Sequence, residues 1–213
     1  MPINKLFDLL DDWRYLPAYQ LERRADIFFA LHLETIMEKV LDVKIDMIIP
    51  EFPLRLGELP DENPNSNLSY KIDYLAYSKE QNKVYLIELK TENSSLRNSQ
   101  DKYLESAKKI KLQGILEGLQ KIYIATNQKI KYIHLLNKLE EMKWIEKNDK
   151  LFEILDIDIE PNIIYIQPTN SKNEKSRIIF DDVILALSDS KEPITQRFVQ
   201  SLEKWKVDTN IKK

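Results

Sequence analysis

Three charged side chains stand out in two predicted strands that are rich in apolar residues: Asp73, Glu88 and Lys90. Glu88 and Lys90 lie near the end of the stretch "KVYLIELKTE", residues 83–92, which otherwise has the composition of a buried strand. Because side chains alternate between the two faces of a strand, Glu88 and Lys90 share one face. Carboxylates can hold a divalent cation, and an ammonium on the same surface can act on a phosphate beside that cation.

The third charge, Asp73, lies on the preceding predicted strand, "LSYKIDYLAYS" (68–78). The polar link "KEQN" (79–82) between the two strands predicts a hairpin. If these residues form the whole loop, counting outward along the hairpin places Asp73 opposite Glu88 on the same face. Like charges directly opposite each other destabilise a strand pair. A bound cation would remove that conflict, and Lys90 would then lie beside it.

The same charges also have a purely structural interpretation. Asp73 and Lys90 can form a diagonal ion pair, with Glu88 solvated at the end of its strand. Strict alternation also places Lys71 on the face of Asp73, and a bulge in either strand would change the pairing.

The surrounding patterns predict the elements that position these charges. Residues 18–41 show apolar spacings of three and four, and Pro50 and Pro53 indicate that the next strand lies at an edge of the sheet or ends early. In chain order the patterns predict a helix at 18–41, strands at 43–56, 68–78 and 83–92, a helix at 94–119 and a strand at 121–126.

The rest of the chain carries no recognisable motif. It predicts a helix at 131–145, strands at 162–169 and 176–187, and a final helix at 193–206. We therefore expect a single α/β domain over 1–213, with a core at 18–126 and a C-terminal α/β elaboration at 127–213.

Asp73, followed after fourteen residues by Glu88-Leu89-Lys90, resembles the motif of the PD-(D/E)XK nuclease superfamily. In this sequence, Ile72 takes the place of the proline that gives the motif its first letter. The predicted order is similar to the αβββαβ core of that superfamily's restriction-endonuclease-like fold, a mixed central sheet flanked by helices. The resemblance implies that Asp73 and Glu88 bind Mg²⁺ or Mn²⁺. It also implies that Lys90 orients or helps to deprotonate the attacking water, or stabilises the transition state.

Many members of that superfamily carry a further acidic residue on the first core helix. Here the candidates are Glu22, Asp26, Glu34 and Glu38. At about 100° per residue, Glu22 lies nearest the apolar stripe, Asp26 is second, and Glu34 and Glu38 point to roughly the opposite side. Glu22 is thus the expected third metal ligand, although it could instead pair with Arg23 or Arg24.

On the helix after the motif, Gln100 and Tyr103 share a face at a spacing of three, which is similar to the Gln/Tyr pair that exonuclease-like members carry at a spacing of four. The resemblance makes Gln100 a candidate catalytic residue. The same region is locally basic and could contact phosphates, or could simply be a solvated face. The candidate nucleic-acid-binding residues are Arg97, Lys102, Tyr103, Lys108 and Lys109.

The amino-acid composition excludes several other classes of protein and of binding site. A formal net charge of -3 gives no general attraction to nucleic acid, so any phosphate-binding surface is local. The absence of cysteine excludes disulfides and predicts a cytoplasmic setting, and no apolar stretch is long enough to span a membrane. Three glycines exclude the usual phosphate-cradling loops.

The sequence thus predicts a Mg²⁺-dependent phosphodiesterase that acts on DNA in preference to RNA, with a homodimer left open. A non-catalytic nucleic-acid-binding or protein-interaction module that keeps the nuclease fold is the alternative. A structural domain in which Asp73, Glu88 and Lys90 form an ion-pair network is a third hypothesis.

Overall fold

A mixed sheet of five strands, with helices on both faces, organises the protein. The computed structural model describes residues 2–60, 62–91, 98–148, 151–169 and 176–207, with side chains from residue 101 onward in the third range. The chain is therefore α/β, as its sequence predicts. No helix in the described ranges is long and apolar enough to cross a membrane.

Six α-helices and seven strands are present in the described residues. The helices are α1 (Pro2–Trp13), α2 (Glu22–Leu41), α3 (Asn98–Ala125), α4 (Ile133–Glu141), α5 (Phe180–Leu187) and α6 (Pro193–Val207). The strands are β1 (Met47–Arg55), β2 (Ser69–Ser78), β3 (Lys83–Leu89), β4 (Ile145–Lys147), β5 (Phe152–Ile154), β6 (Asn162–Gln167) and β7 (Arg177–Ile179).

The main sheet has the strand order β1-β2-β3-β6-β7, and β4 and β5 form a separate two-stranded hairpin. β1, β2 and β3 are antiparallel, whereas β6 runs parallel to β3 and β7 parallel to β6. The edge position predicted for the Pro-containing strand is confirmed. The predicted hairpin pairing is also confirmed, because Ser78 pairs with Lys83 and Tyr77 with Val84.

Each face of the sheet has its own hydrophobic core. Val84 and Leu86 of β3 pack with α3 and α4, whereas Tyr85, Ile87 and Leu89 pack with α2, α5 and α6. The alternation predicted for this strand is therefore observed, and both of its faces are buried. A strand that is covered on both sides reads as a continuous apolar run, which explains its composition.

The strand predicted at 121–126 is wrong, because α3 continues to Ala125. Its buried side chains keep the helical spacing through Leu119 and Ile122. Gly118 does not end the helix: a Cβ there would lie 2.9 Å from Cγ of Glu58, so the glycine allows close packing. After α3, the next strand to join the main sheet is β6, which runs parallel to β3.

The strand predicted at 176–187 is also only partly correct, because β7 ends at Ile179 and α5 begins at Phe180. The carboxylate of Asp182 accepts a hydrogen bond from the backbone N of Ile179 at 3.0 Å, which stabilises the start of α5. The first core helix begins at Glu22, four residues later than predicted.

A network of polar side chains joins the two ends of the chain. The carboxylate of Asp11 on α1 accepts hydrogen bonds from three residues of α6: Arg197 at 2.9 Å, Lys204 at 2.7 Å and Nε1 of Trp205 at 2.9 Å. Burial would raise the pKa of Asp11, but the hydrogen bonds from Lys204 and Arg197 outweigh it and lower the pKa. The ionised carboxylate therefore stabilises the α1–α6 contact.

We expect Asp11→Asn to lower the free energy of unfolding by about 2 kcal/mol at neutral pH, because hydrogen bonds to charged groups are lost. Since folding lowers this pKa, the unfolded chain binds the proton more readily than the native chain does. The contribution is complete above the ordinary value of 3.8 and is lost as the pH falls below it. Urea unfolding of the variant and of the exposed-site control Asp12→Asn, at neutral and acidic pH, measures the difference; equal midpoints would contradict it.

Candidate functional site

The charged residues predicted from the hairpin meet where β3 ends, next to β2 and the start of α2. Glu88 and Lys90 are almost fully buried, with 1% and 2% of their surfaces exposed. The backbone N of Lys90 donates to the carbonyl of Ile166 at 2.8 Å, so pairing with β6 fixes Lys90 in place. Buried charges at a strand end require partners, and the surrounding residues supply them.

Glu88 has a partner for each of its carboxylate oxygens. The hydroxyl of Tyr70 donates to Oε1 at 2.6 Å, and Nζ of Lys90 donates to Oε2 at 3.2 Å. Burial, together with the negative charge of Asp73, raises the pKa of Glu88 to about 8. The carboxylate is therefore held in an environment that disfavours its negative charge.

Asp73 lies beside Glu88, as the loop count predicts. The β2–β3 pairing runs from Ser78–Lys83 to Tyr74–Ile87, and Asp73 and Glu88 are the residues that follow the last of these pairs. The Asp73 carboxylate accepts a hydrogen bond from the backbone N of Leu89 at 2.8 Å. Burial raises the pKa of Asp73, and that hydrogen bond only partly offsets the effect.

Lys90 lies between acidic side chains from two elements. Its Nζ is 3.2 Å from Oε2 of Glu88 and 3.7 Å from Oε1 of Glu22, the first residue of α2. Burial opposes the charged form of Lys90, but Glu22, Glu88 and Asp73 outweigh it and raise the pKa of Lys90. Lys90 is therefore an ammonium at neutral pH.

The side-chain alternation of β2 is interrupted at Asp73. Ile72 and Leu75 both pack on the α3 side of the sheet, whereas Tyr74 packs on the opposite side. In β1, the residue opposite this break is Glu51, which has a positive φ of 52°. An irregularity in both strands thus coincides with the candidate site, as bulges often do near functional positions.

This interruption brings an unpredicted residue, Tyr70, into the site. Strict alternation would put Lys71 on the face of Asp73 and Tyr70 on the other, but Lys71 is exposed and Tyr70 contacts Glu88. The prediction for Lys71 is therefore wrong. Because the break depends on backbone geometry, the alternation of apolar and polar residues in the sequence does not reveal it.

The acidic candidates on α2 occupy distinct positions. Glu22, with 31% of its side chain exposed, reaches Lys90, and burial raises its pKa. Asp26 instead accepts a hydrogen bond from the backbone N of Ile27 at 2.6 Å, at an exposed position. Glu34 and Glu38 are exposed. Among the four, Glu22 is the one that contacts Lys90, and its role as a metal ligand stays a prediction.

The predicted residues at the start of α3 are described only in part. Arg97 and the side chain of Gln100 lie outside the described residues. Lys102 is exposed, and the half-buried ring of Tyr103 lies 5.6 Å from the ring of Tyr70, which in turn contacts Glu88. Tyr103 is therefore close to the candidate site.

The basic residues further along α3 have partly neutralised charges. Nζ of Lys108 is 3.3 Å from Oε1 of Glu160, and Lys111 forms an ion pair with Asp158 at 2.5 Å. Lys109 is exposed. Lys111 also interrupts α3, with a φ of 59° and a ψ of 179°. The predicted phosphate contact of Lys108 therefore competes with an acidic partner from the chain itself.

A second unpredicted pair extends the site toward α3. The hydroxyl of Tyr165 on β6 donates to the carboxylate of Asp101 at 2.6 Å, and Tyr165 is the residue paired with Glu88 in the parallel ladder. The sequence offered no signal for this pair, because β6 and α3 are far apart in the chain.

The chemistry of the donors fits a hard divalent cation. In the described residues, no three Asp, Glu, His or Cys side chains form a cluster able to hold a metal ion. Mg²⁺ is, however, commonly held by one or two carboxylates, with water and substrate phosphate as its other ligands. Asp73 and Glu88 would hold such an ion, and two adjacent carboxylates with raised pKa values are what a cation would stabilise.

Comparisons with models of protein families, with curated proteins and with solved structures found nothing that matches this chain.

Proposed function

We propose that this protein is a metal-dependent nuclease of the PD-(D/E)XK type that hydrolyses phosphodiester bonds of DNA in preference to RNA. The observation that carries the proposal is the buried arrangement of Glu88, which lies beside Asp73 and 3.2 Å from the ammonium of Lys90. The order α2, β1, β2, β3 and α3, followed after α4 and the β4–β5 hairpin by the parallel strand β6, supports a restriction-endonuclease-like core.

The raised pKa of Lys90 argues against one of the roles that the motif implies, which is to deprotonate the attacking water. An ammonium cannot accept a proton, so Lys90 would act through its positive charge, by orienting the attacking water or stabilising the charge that develops on the phosphate. A divalent cation, when bound, supplies Lewis-acid polarisation of the phosphate and a more acidic water.

The other residues hold these two groups in position. Tyr70 fixes one oxygen of Glu88 through a 2.6 Å hydrogen bond, and the backbone N of Leu89 holds the carboxylate of Asp73 at 2.8 Å. Glu22 faces Lys90 from α2, so it supports the protonated form of Lys90. Groups held in this way need little rearrangement during the reaction.

The contacts of Lys90 with Glu88 and Glu22 also favour a second candidate, a structural ion-pair network in a domain without activity. Both hypotheses predict a folded protein with the same contacts. Only the nuclease hypothesis predicts phosphodiester hydrolysis that requires a metal ion, so activity separates the two.

We expect the protein to cleave DNA in the presence of Mg²⁺ or Mn²⁺ and to be inactive with EDTA. The substrates are single-stranded, double-stranded and branched DNA, with RNA in parallel. Glu88→Gln keeps an oxygen for Tyr70 but removes a charged ligand, so we expect its rate to fall by at least about 100-fold. Cleavage without metal, or by Glu88→Gln at the full rate, would contradict the proposal.

A further inference from the structure

One face of α2 is exposed along most of its length and combines apolar with charged side chains. Ile27 and Leu31 lie one turn apart and expose 64% and 58% of their surfaces. Arg24 precedes them and Glu34 follows them, and both are exposed. At about 100° per residue, these four side chains occupy a sector about 80° wide, here called the α2 stripe.

The charged residues of the α2 stripe lack partners in the chain itself. Within the described residues, neither Arg24 nor Glu34 forms a side-chain hydrogen bond or an ion pair, whereas Lys39 of the same helix pairs with Asp189. The opposite side of α2 is fully used, because Phe29, Leu33 and the other buried residues of this helix pack in the core.

The order of residues in the α2 stripe is self-complementary. It reads Arg24, Ile27, Leu31, Glu34, with spacings of three, four and three. A two-fold rotation that reverses the direction of the helix exchanges the position of Arg24 with that of Glu34, and the position of Ile27 with that of Leu31. A second copy packed antiparallel would therefore meet each arginine with a glutamate and each isoleucine with a leucine.

We propose that the α2 stripe is the contact between two copies of this chain, which pack their α2 helices antiparallel. The two-fold axis crosses the exposed face of α2 at the level of residue 29 along the helix. The axis follows from the pairs, since residue 29 is midway between 24 and 34 and between 27 and 31. Such an isologous contact is the commonest interface of homo-oligomers.

Charge complementarity decides in favour of this partner and orientation. Arg24 and Glu34 are about 15 Å apart along the helix, at about 1.5 Å per residue, so each end of the stripe carries one sign of charge. A parallel pair would bring Arg24 against Arg24 and Glu34 against Glu34, which is unfavourable. The antiparallel pair has two ion pairs that flank four apolar side chains.

The area available sets the strength of the contact. A single pair of helices buries less surface than a standard stable interface, so we expect a dissociation constant in the range of about 10–100 µM. The dimer does not depend on the proposed nuclease activity, because Glu22, the α2 residue of the candidate site, lies outside the stripe.

Charge reversal tests the proposal with the full-length chain. Arg24→Glu alone places glutamate against Glu34, and Glu34→Arg alone places arginine against Arg24. We expect each variant to dimerise at least about tenfold more weakly than the original chain. A mixture of the two variants pairs opposite charges at both ends, so we expect it to form a heterodimer as strong as the original dimer.

Sedimentation velocity over about 1–500 µM measures these associations. Lys44→Glu and Glu141→Arg, at exposed positions outside the stripe, are matched controls that should dimerise normally. Circular dichroism verifies that all variants are folded. The proposal is overturned if the original chain stays monomeric throughout this range, if single reversals leave the dimer unchanged, or if the mixture fails to associate.

Discussion

Under the proposed nuclease function, replacing Lys90 by methionine is expected to lower the rate of metal-dependent DNA cleavage by at least about 100-fold, because the positive charge that would lie next to the phosphate is lost. The burial of Lys90, with 2% of its surface exposed, makes the loss specific, since no solvent cation takes its place easily. Methionine is chosen because it fills similar space in a buried position without a charge. Single-turnover cleavage with saturating protein measures the rate.

Lys83→Met is the matched control for this prediction. Lys83 begins the same strand and is exposed, so its replacement should leave the rate within about twofold of the original. Lys90→Met should still bind Mg²⁺, because Asp73 and Glu88 remain. A variant that is folded, binds the metal and cleaves at the original rate would rule out a chemical role for Lys90.

Addition of Mg²⁺ or Mn²⁺ is expected to raise the melting temperature by about 5–10 °C at a concentration near 100 times the dissociation constant. The physical cause is the buried carboxylate of Glu88 beside the half-buried carboxylate of Asp73, whose raised pKa values indicate that folding disfavours their negative charge. A cation held between Asp73 and Glu88 would compensate that charge. Differential scanning calorimetry with EDTA or added metal measures the shift.

Asp73→Asn should change this behaviour in two ways. Asparagine can still accept the hydrogen bond from the backbone N of Leu89, but it lacks the charge that opposes Glu88. We therefore expect the metal-free variant to melt about 2–4 °C higher than the original chain and to lose most of its response to metal. Glu80→Gln, in the exposed hairpin loop, should show neither change. If added Mg²⁺ or Mn²⁺ leaves the melting temperature of the original chain unchanged, the carboxylates of Asp73 and Glu88 do not form a cation site.

The hairpin could be predicted from sequence because its signals are local. The polar link between two apolar strands determined the loop length, and that length determined the pairing of Tyr77 with Val84 and of the residues beyond it. Alternation in β3 then assigned Glu88 to the face of Val84 and Leu86, and helical periodicity favoured Glu22 over Asp26. Each step depends on neighbours in the chain or on one loop.

The errors occurred where packing outweighed local preference. The β-branched residues at 121–126 suggested a strand, but the segment is the helical end of α3, where Leu119 is buried in the α3-side core and Tyr123 packs against it. The strand beside β3 is β6, whose sequence is as apolar as the segment 121–126. Its position depends on how the chain between β3 and β6 folds. Tyr70 was missed because the break in alternation at Asp73 involves a positive φ at Glu51 in the neighbouring strand.

By itself, the sequence determined that Asp73, Glu88 and Lys90 share the hairpin, and it predicted that the two carboxylates face each other. It did so because strand alternation and loop counting are short-range rules. Only the tertiary structure decided that Lys90 lies between Glu88 and Glu22, that β6 fixes its backbone, and that Tyr70 and Tyr165 complete the surroundings. Those contacts join elements that are distant in the chain, and their positions depend on how the two cores pack against the sheet.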